Sequence, residues 1–149
     1  MYRHILIPTD GSELARKAVV QGLSLAKLCG AKVTALTVEH PFYAYDVLPS
    51  SKMDNIPGAF MEYAEYVEAH SLNILREVAS AAKDSGVPCD LLQIEQDQTH
   101  EAIIAVATKN GCDLIVMASH GRSGLAAVLL GSVTVKVLTH TKLPVLVCH

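Results

Sequence analysis

Short apolar runs alternate along this chain with longer stretches in which apolar residues return every three or four positions. The runs are Ile5-Leu6-Ile7, Val33 to Val38, Leu91 to Ile94, Leu114 to Met117 and Val145 to Cys148. They are continuous rather than strictly alternating, which predicts strands covered on both faces. Between them Leu14, Ala18, Gly22, Leu25 and Ala26 fall at helical spacing, as do Phe60, Ala64, Val67, Leu72, Leu75 and Ala82. Ala102, Ile103 and Val106, and then Val133, Val137 and Leu138, repeat the pattern. The order is β-α-β-α-β-α-β-α-β. Gly30, Gly86 and Gly111 follow the first three helical stretches, where a left-handed residue closes a helix a few positions before the next strand. The economical solution is an α/β fold, an open parallel sheet with right-handed crossovers and helices on both faces.

With 149 residues the chain matches the length expected of one domain, 1–149. Half its residues are hydrophobic, 18% are charged and mean hydropathy is +0.30, a composition that buries a core and does not stay disordered. The longest stretch free of Lys, Arg, Asp and Glu is Ser123 to Val135, shorter than the roughly 20 apolar residues of a membrane span, so no membrane insertion is expected. The apolar run Ile5 to Pro8 is too short for the core of a secretory signal, which points to the cytoplasm. A net charge of −3 argues against nucleic acid as a partner. The charges are unevenly spread: ten acids and two bases lie between Asp54 and Glu101, whereas beyond Asp113 there are no acids and only Arg122, Lys136 and Lys142 as bases. The last quarter is therefore suited to a small anion. Cys29, Cys89, Cys112 and Cys148 are too far apart for a CxxC or zinc pattern and read as small hydrophobes. His40 to Pro57 holds three of the six prolines together with Phe42, Tyr43 and Tyr45, and suits either a mobile surface loop or a lid near a site.

Ligands of open α/β sheets sit at the carboxyl ends of strands, where the strand order reverses. Two loops there carry suitable residues. Pro8-Thr9-Asp10-Gly11-Ser12-Glu13 places a carboxylate after the first strand, and the Asp10 to Glu13 spacing also fits a capping box, so Asp10 suits a helix cap, a ligand contact, or both. Met117-Ala118-Ser119-His120-Gly121-Arg122-Ser123-Gly124 follows the fourth strand, and Gly131-Ser132-Val133 opens the last helix. Glycines admit a close ligand, and a helix start offers unpaired N–H groups, which together make a phosphate cradle. It is neither a Walker loop nor GxGxxG.

Ala118-x2-Gly121-x9-Gly131-Ser132, with Pro8-Thr9-Asp10-Gly11-Ser12 and the closing Pro144-Val145-Leu146-Val147, resembles the universal stress protein family over essentially the whole chain. The resemblance implies a five-stranded parallel sheet in the order 3-2-1-4-5, of the adenine-nucleotide α-hydrolase-like type. It also implies a homodimer joined through the last strand, at Val145, Leu146, Val147 and Cys148. Within the family the glycine motif marks members that bind ATP. Carried over, Asp10 contacts the phosphates or their Mg²⁺, and Val38 with the backbone at Pro8 and Thr9 holds adenine. Met117, Ala118, His120 and Gly121 line ribose and phosphates, with Arg122 and Gly124 in the same loop, and Gly131, Ser132 and Val133 cradle the phosphate tail. Ala118 stands where the pattern has its first glycine, which weakens binding only if the backbone there is left-handed or touches the sugar.

The expected function is that of a dimeric ATP- or AMP-binding stress-response protein, a sensor or regulator of nucleotide state with hydrolysis slow at most. Arg122 is the one cation near the glycine loop, equally suited to solvent, and rapid phosphoryl transfer needs more. The alternatives are a nucleotide-free dimeric scaffold and an ATP α-phosphate hydrolase, whose SGGxDS-like loop is absent. His4, His40, His70, His100, His140 and His149 show no metal-binding spacing. Val145 to Cys148 forms an apolar strand at the end of the pattern, and pairing with its copy across a two-fold axis would cover it.

Overall fold

The computed structural model describes residues 1–43, 54–122 and 129–149. Within them the order is β1 (His4–Pro8), α1 (Glu13–Cys29), β2 (Lys32–Glu39), α2 (Ile56–Ser85), β3 (Cys89–Glu95), α3 (Thr99–Lys109), β4 (Leu114–Ala118), α4 (Ser132–His140) and β5 (Val145–Cys148). All pairings are parallel and the sheet order is β3-β2-β1-β4-β5. The chain therefore builds outward from β1 on one side, then crosses back to place β4 on the other. Leu6 sits between Thr34 and Ile115 at the centre of the sheet.

Successive residues of the central strands serve opposite cores. Ile5, Ile7, Val33, Ala35, Leu114 and Val116 pack beneath α1 and α2, while Leu6, Leu36, Ile115 and Met117 pack beneath α3 and α4. Coverage on both faces explains why β1, β2 and β4 read as unbroken apolar runs. The edge strands differ from that expectation: Leu91 of β3 and Leu146 of β5 are about two-fifths exposed, because each edge has one face only partly covered.

The helices show two further corrections. The buried stripe of α1 is Ala15, Ala18, Val19, Gly22, Leu23 and Ala26, with Leu14 and Leu25 on its flanks. In α2, Phe60, Ala64 and Leu72 are exposed, and burial falls on Ala59 and then on Ser71, Ile74, Leu75, Val78 and Ala82. α2 also begins at Ile56, earlier than the hydrophobic pattern implies, with Asn55 as its cap and Pro57 in the first turn. Residues 44–53 of the segment considered as a loop or lid, and Gly124, lie outside the described residues. Among the described residues no helix is long and apolar enough to cross a membrane. The cysteines fit their reading as hydrophobes: Cys112 and Cys148 are buried, and burial pushes the Cys112 thiol up to about 11.

Candidate functional site

The strand order reverses beside β1, so the carboxyl ends of β1 and β4 diverge and leave a crevice. A cavity of about 300 Å³ lies there. Pro8, Thr9 and Asp10 come to it from β1, Val38 from β2, Met117 and Ala118 from β4, and His120 and Gly121 from the following loop. Gly131, Ser132 and Val133 close it from the start of α4. These are eleven of the thirteen residues anticipated as nucleotide contacts. Arg122 is not in the lining and Gly124 lies outside the described residues.

The β1–α1 loop holds its shape through short-range bonds. Thr9 extends the sheet by donating its N–H to the Leu36 carbonyl at 2.8 Å. Gly11 has φ +75°, and a Cβ there would lie 2.7 Å from Ile74 Cγ1, so both the turn and the approach of α2 require glycine. Asp10 Oδ1 accepts the Ser12 N–H at 2.9 Å, and Ser12 Oγ in turn accepts from Ala15 N at 3.2 Å. The cap of α1 is thus Ser12, two positions after Asp10. This corrects the capping-box spacing and leaves the Asp10 carboxylate beside the cavity.

The β4–α4 loop is bound to the first loop through that carboxylate. Asp10 Oδ2 accepts the Arg122 N–H at 2.9 Å, and a Cβ on Gly121 would lie 2.6 Å from the same oxygen. Gly121 is therefore the residue that lets the two loops close on each other. The Arg122 guanidinium donates to the Asp10 carbonyl from Nε at 3.1 Å and Nη2 at 2.8 Å, and Nη2 also meets Nε2 of His70 on α2. Arg122 is exposed, as the solvated reading has it, and its guanidinium is turned to the Asp10 carbonyl and not into the cavity. It buckles the two loops to α2 from outside the cavity.

α4 is set by a second group of bonds. Thr134 Oγ1 donates to the carbonyls of Ala118 at 3.0 Å and Ser119 at 3.2 Å, and Gly131 N–H donates to the Ser119 carbonyl at 2.7 Å. A Cβ on Gly131 would stand 3.2 Å from that carbonyl, tighter than ordinary contact. Gly131 caps α4 with no side-chain hydrogen bond, so among the described residues no cap competes with a ligand or water for the N–H groups of its first turn. His120 Nδ1 lies 3.0 Å from Ser119 Oγ. Ala118 ends a strand, and no described residue other than glycine has positive φ, so its methyl group carries no backbone strain.

The remaining walls were not foreseen. Leu36, Ala15 and Ile103 add apolar surface, and Thr99 and Thr134 add hydroxyls. Leu36 was within reach of the sequence, since it precedes Val38 by two positions and so shares its face of β2. Ile103 and Thr99 come from a helix distant in sequence. Among the described residues no group of three or more His, Cys, Asp or Glu could hold a metal ion. The cavity thus has an apolar wall suited to a planar base and, across from it, a carboxylate and an uncapped helix start suited to sugar and anion.

Fold and site together define a doubly wound α/β protein with a small-molecule cavity at its topological switch point. Comparison with known sequences is specific. The model of the universal stress protein family matches residues 1–149, and the chain belongs to that family. It is similar to universal stress protein MJ0531 of Methanocaldococcus jannaschii, at 33% identity over 99% of this chain and 82% of that one. The solved structure of MJ0577 from the same organism matches with a TM-score of 0.81 at 28% identity, covering 99% of this chain and 96% of that one. A universal stress protein solved in complex with cAMP matches with a TM-score of 0.70 at 28% identity, over 99% and 97% of the two chains.

Proposed function

We propose that this protein binds an adenine nucleotide, ATP with its Mg²⁺ or else AMP, and acts as a homodimeric cytoplasmic sensor or regulator in a stress response. The observation that carries the reading is the pairing, in one cavity, of an apolar wall with the uncapped start of α4. About 300 Å³ is at the small end of the range for ligand sites, enough for the nucleoside portion of a nucleotide. The phosphates then extend along Gly131, Ser132 and Val133, where first-turn N–H groups and the helix dipole favour negative charge. Val38, Leu36, Ile103 and Met117 would sandwich the base, with the backbone at Pro8 and Thr9 alongside. Asp10, His120 and Gly121 would face the sugar and the first phosphates. A magnesium ion would arrive with the phosphates, take Asp10 as its protein carboxylate and draw its other ligands from phosphate and water. The match to a relative solved with cAMP supports an adenine nucleotide as the ligand class.

Binding rather than turnover is the activity these residues serve. Fast phosphoryl transfer needs a positioned base or water and a cationic clamp on the transferring group. Among the described residues the cavity lining contains neither Lys nor Arg, and Arg122 is committed to the Asp10 carbonyl and His70. The dimer reading draws on β5, an edge strand of the sheet with Leu146 about two-fifths exposed. Denaturing the purified protein and resolving the released small molecules by anion exchange tests the ligand directly. Adenine nucleotide in stoichiometric amount is the expected result. A protein that releases none and shows no uptake after incubation with Mg·ATP would leave the nucleotide-free scaffold in its place.

A further inference from the structure

α2 is a 30-residue helix, and about half of it has no sheet to cover. Ser71 Oγ donates to Glu39 at the end of β2, which places Ser71 level with the sheet's carboxyl edge. Residues 56–70 therefore extend roughly 22 Å beyond that edge at 1.5 Å per residue. The inward stripe of the covered half, Ser71, Leu75, Val78 and Ala82, continues into the projecting half as Ala64 and Phe60 at the same helical spacing. Ala59 beside it stays buried, but Phe60 is 51% exposed, and Ile56 and Met61 are 40% and 63% exposed. Phe42 packs against the rings of both Phe60 and Tyr63, and Tyr63 Oη donates to the His40 carbonyl at 3.4 Å, so the chain after β2 lines one flank of this half.

The charge on this half has one sign. From Asp54 to Leu75 the sequence holds Asp54, Glu62, Glu65 and Glu68 and neither Lys nor Arg. Glu65 and Glu68 are exposed and fall beside Met61 and Ala64 on the helix surface. An apolar band edged by carboxylates repels an anionic lipid surface, and it repels the same face of a second copy. It complements a helix with an apolar stripe bordered by Lys and Arg.

We infer that the projecting half of α2 is a docking surface for a basic amphipathic helix of a partner protein. Its apolar stripe lies across Phe60, Met61 and Ala64, and its basic side chains meet Glu65 and Glu68. The surface is rooted beside the cavity, because His70 contacts Arg122 and stacks on Tyr66 with ring centroids 5.9 Å apart. Docking does not depend on the nucleotide reading and is testable without nucleotide.

The probe is a fluorescent amphipathic peptide of about 18 Leu and Lys residues, five helical turns, titrated with the full-length protein and followed by anisotropy. Saturable binding is expected, weakening about tenfold on Phe60→Ser or on the pair Glu65→Lys and Glu68→Lys, and weakening with added salt. Leu28→Ser, at an 84% exposed apolar site on α1, is expected to leave binding unchanged. Circular dichroism confirms that each variant is folded, and the charge pair removes no apolar contact. Absent saturation, equal binding by all variants, or equal loss in Leu28→Ser would overturn the assignment. Self-association by light scattering that disappears with Phe60→Ser would overturn it in favour of a second copy.

Discussion

At the residue scale the site depends on places where a single methyl group would not fit. Gly121 is the clearest, since its missing Cβ leaves room for the Asp10 carboxylate, and that carboxylate joins the two loops. Gly121→Ala is expected to push Asp10 aside and weaken Mg·ATP binding by about tenfold, near 1.4 kcal/mol, while far-ultraviolet circular dichroism stays unchanged. Thr134→Val removes the hydroxyl that reaches the Ala118 and Ser119 carbonyls inside a buried contact. A loss of about 1–3 kcal/mol in denaturant unfolding is expected, because the buried hydroxyl's bonds to both carbonyls are lost and a methyl group takes its place. The glycine motif was legible in the sequence as part of a site, and Gly121 and Gly131 do line the cavity. The role of Gly121 toward Asp10 was not, because it depends on two loops distant along the chain. Arg122 was equally illegible: a cation beside a glycine loop suggests a phosphate contact, and only the fold shows it turned toward the Asp10 carbonyl and His70.

At the element scale, periodicity identified all nine helices and strands of the described residues but not how far each would be covered. Helical spacing tells which side of α2 faces the sheet, and Phe60 and Ala64 do lie on that side. It carries no information on where the sheet stops, so the exposure of the first half of α2 had no sequence signal. The cap of α1 shows a similar limit, since Asp10 and Ser12 are both good N-caps and the turn at Gly11 decides for Ser12. Ser12→Ala is expected to cost about 1 kcal/mol in thermal or denaturant unfolding. β5 has an edge open for pairing, and Val147→Lys is expected to convert the proposed dimer to a monomer by light scattering at roughly micromolar concentration. A wild-type protein that is already monomeric there would remove the dimer from the proposal.

At the scale of the whole molecule the sheet separates function from stability. The carboxyl edge carries the loops and the cavity, while the opposite edge is closed by buried polar contacts around His4. His4 Nδ1 donates to the Asn110 carbonyl at 3.1 Å, and Nε2 lies 2.8 Å from Thr34 Oγ1, a hydroxyl that can donate to the neutral ring. Burial, helped by nearby Lys32, holds the His4 imidazole below its ordinary value. The unfolded chain therefore binds a proton near pH 6.5 that the folded chain refuses, so stability is full above that pH and falls as pH drops through it. His4→Gln is expected to flatten this limb in unfolding curves taken between about pH 7 and 5. The fall at lower pH, where Asp113 loses its hydrogen bonds from the Arg3 and His4 backbones, is expected to remain.

The central claim is that the switch-point cavity holds an adenine nucleotide, and calorimetric titration of the nucleotide-stripped protein with Mg·ATP tests it most directly. Saturable heat with a roughly micromolar Kd, weakened about tenfold in Gly121→Ala and unchanged in Leu28→Ser, is the predicted result. A folded wild-type protein giving no heat with Mg·ATP or AMP, or a Gly121→Ala variant binding as tightly as wild type, would contradict it.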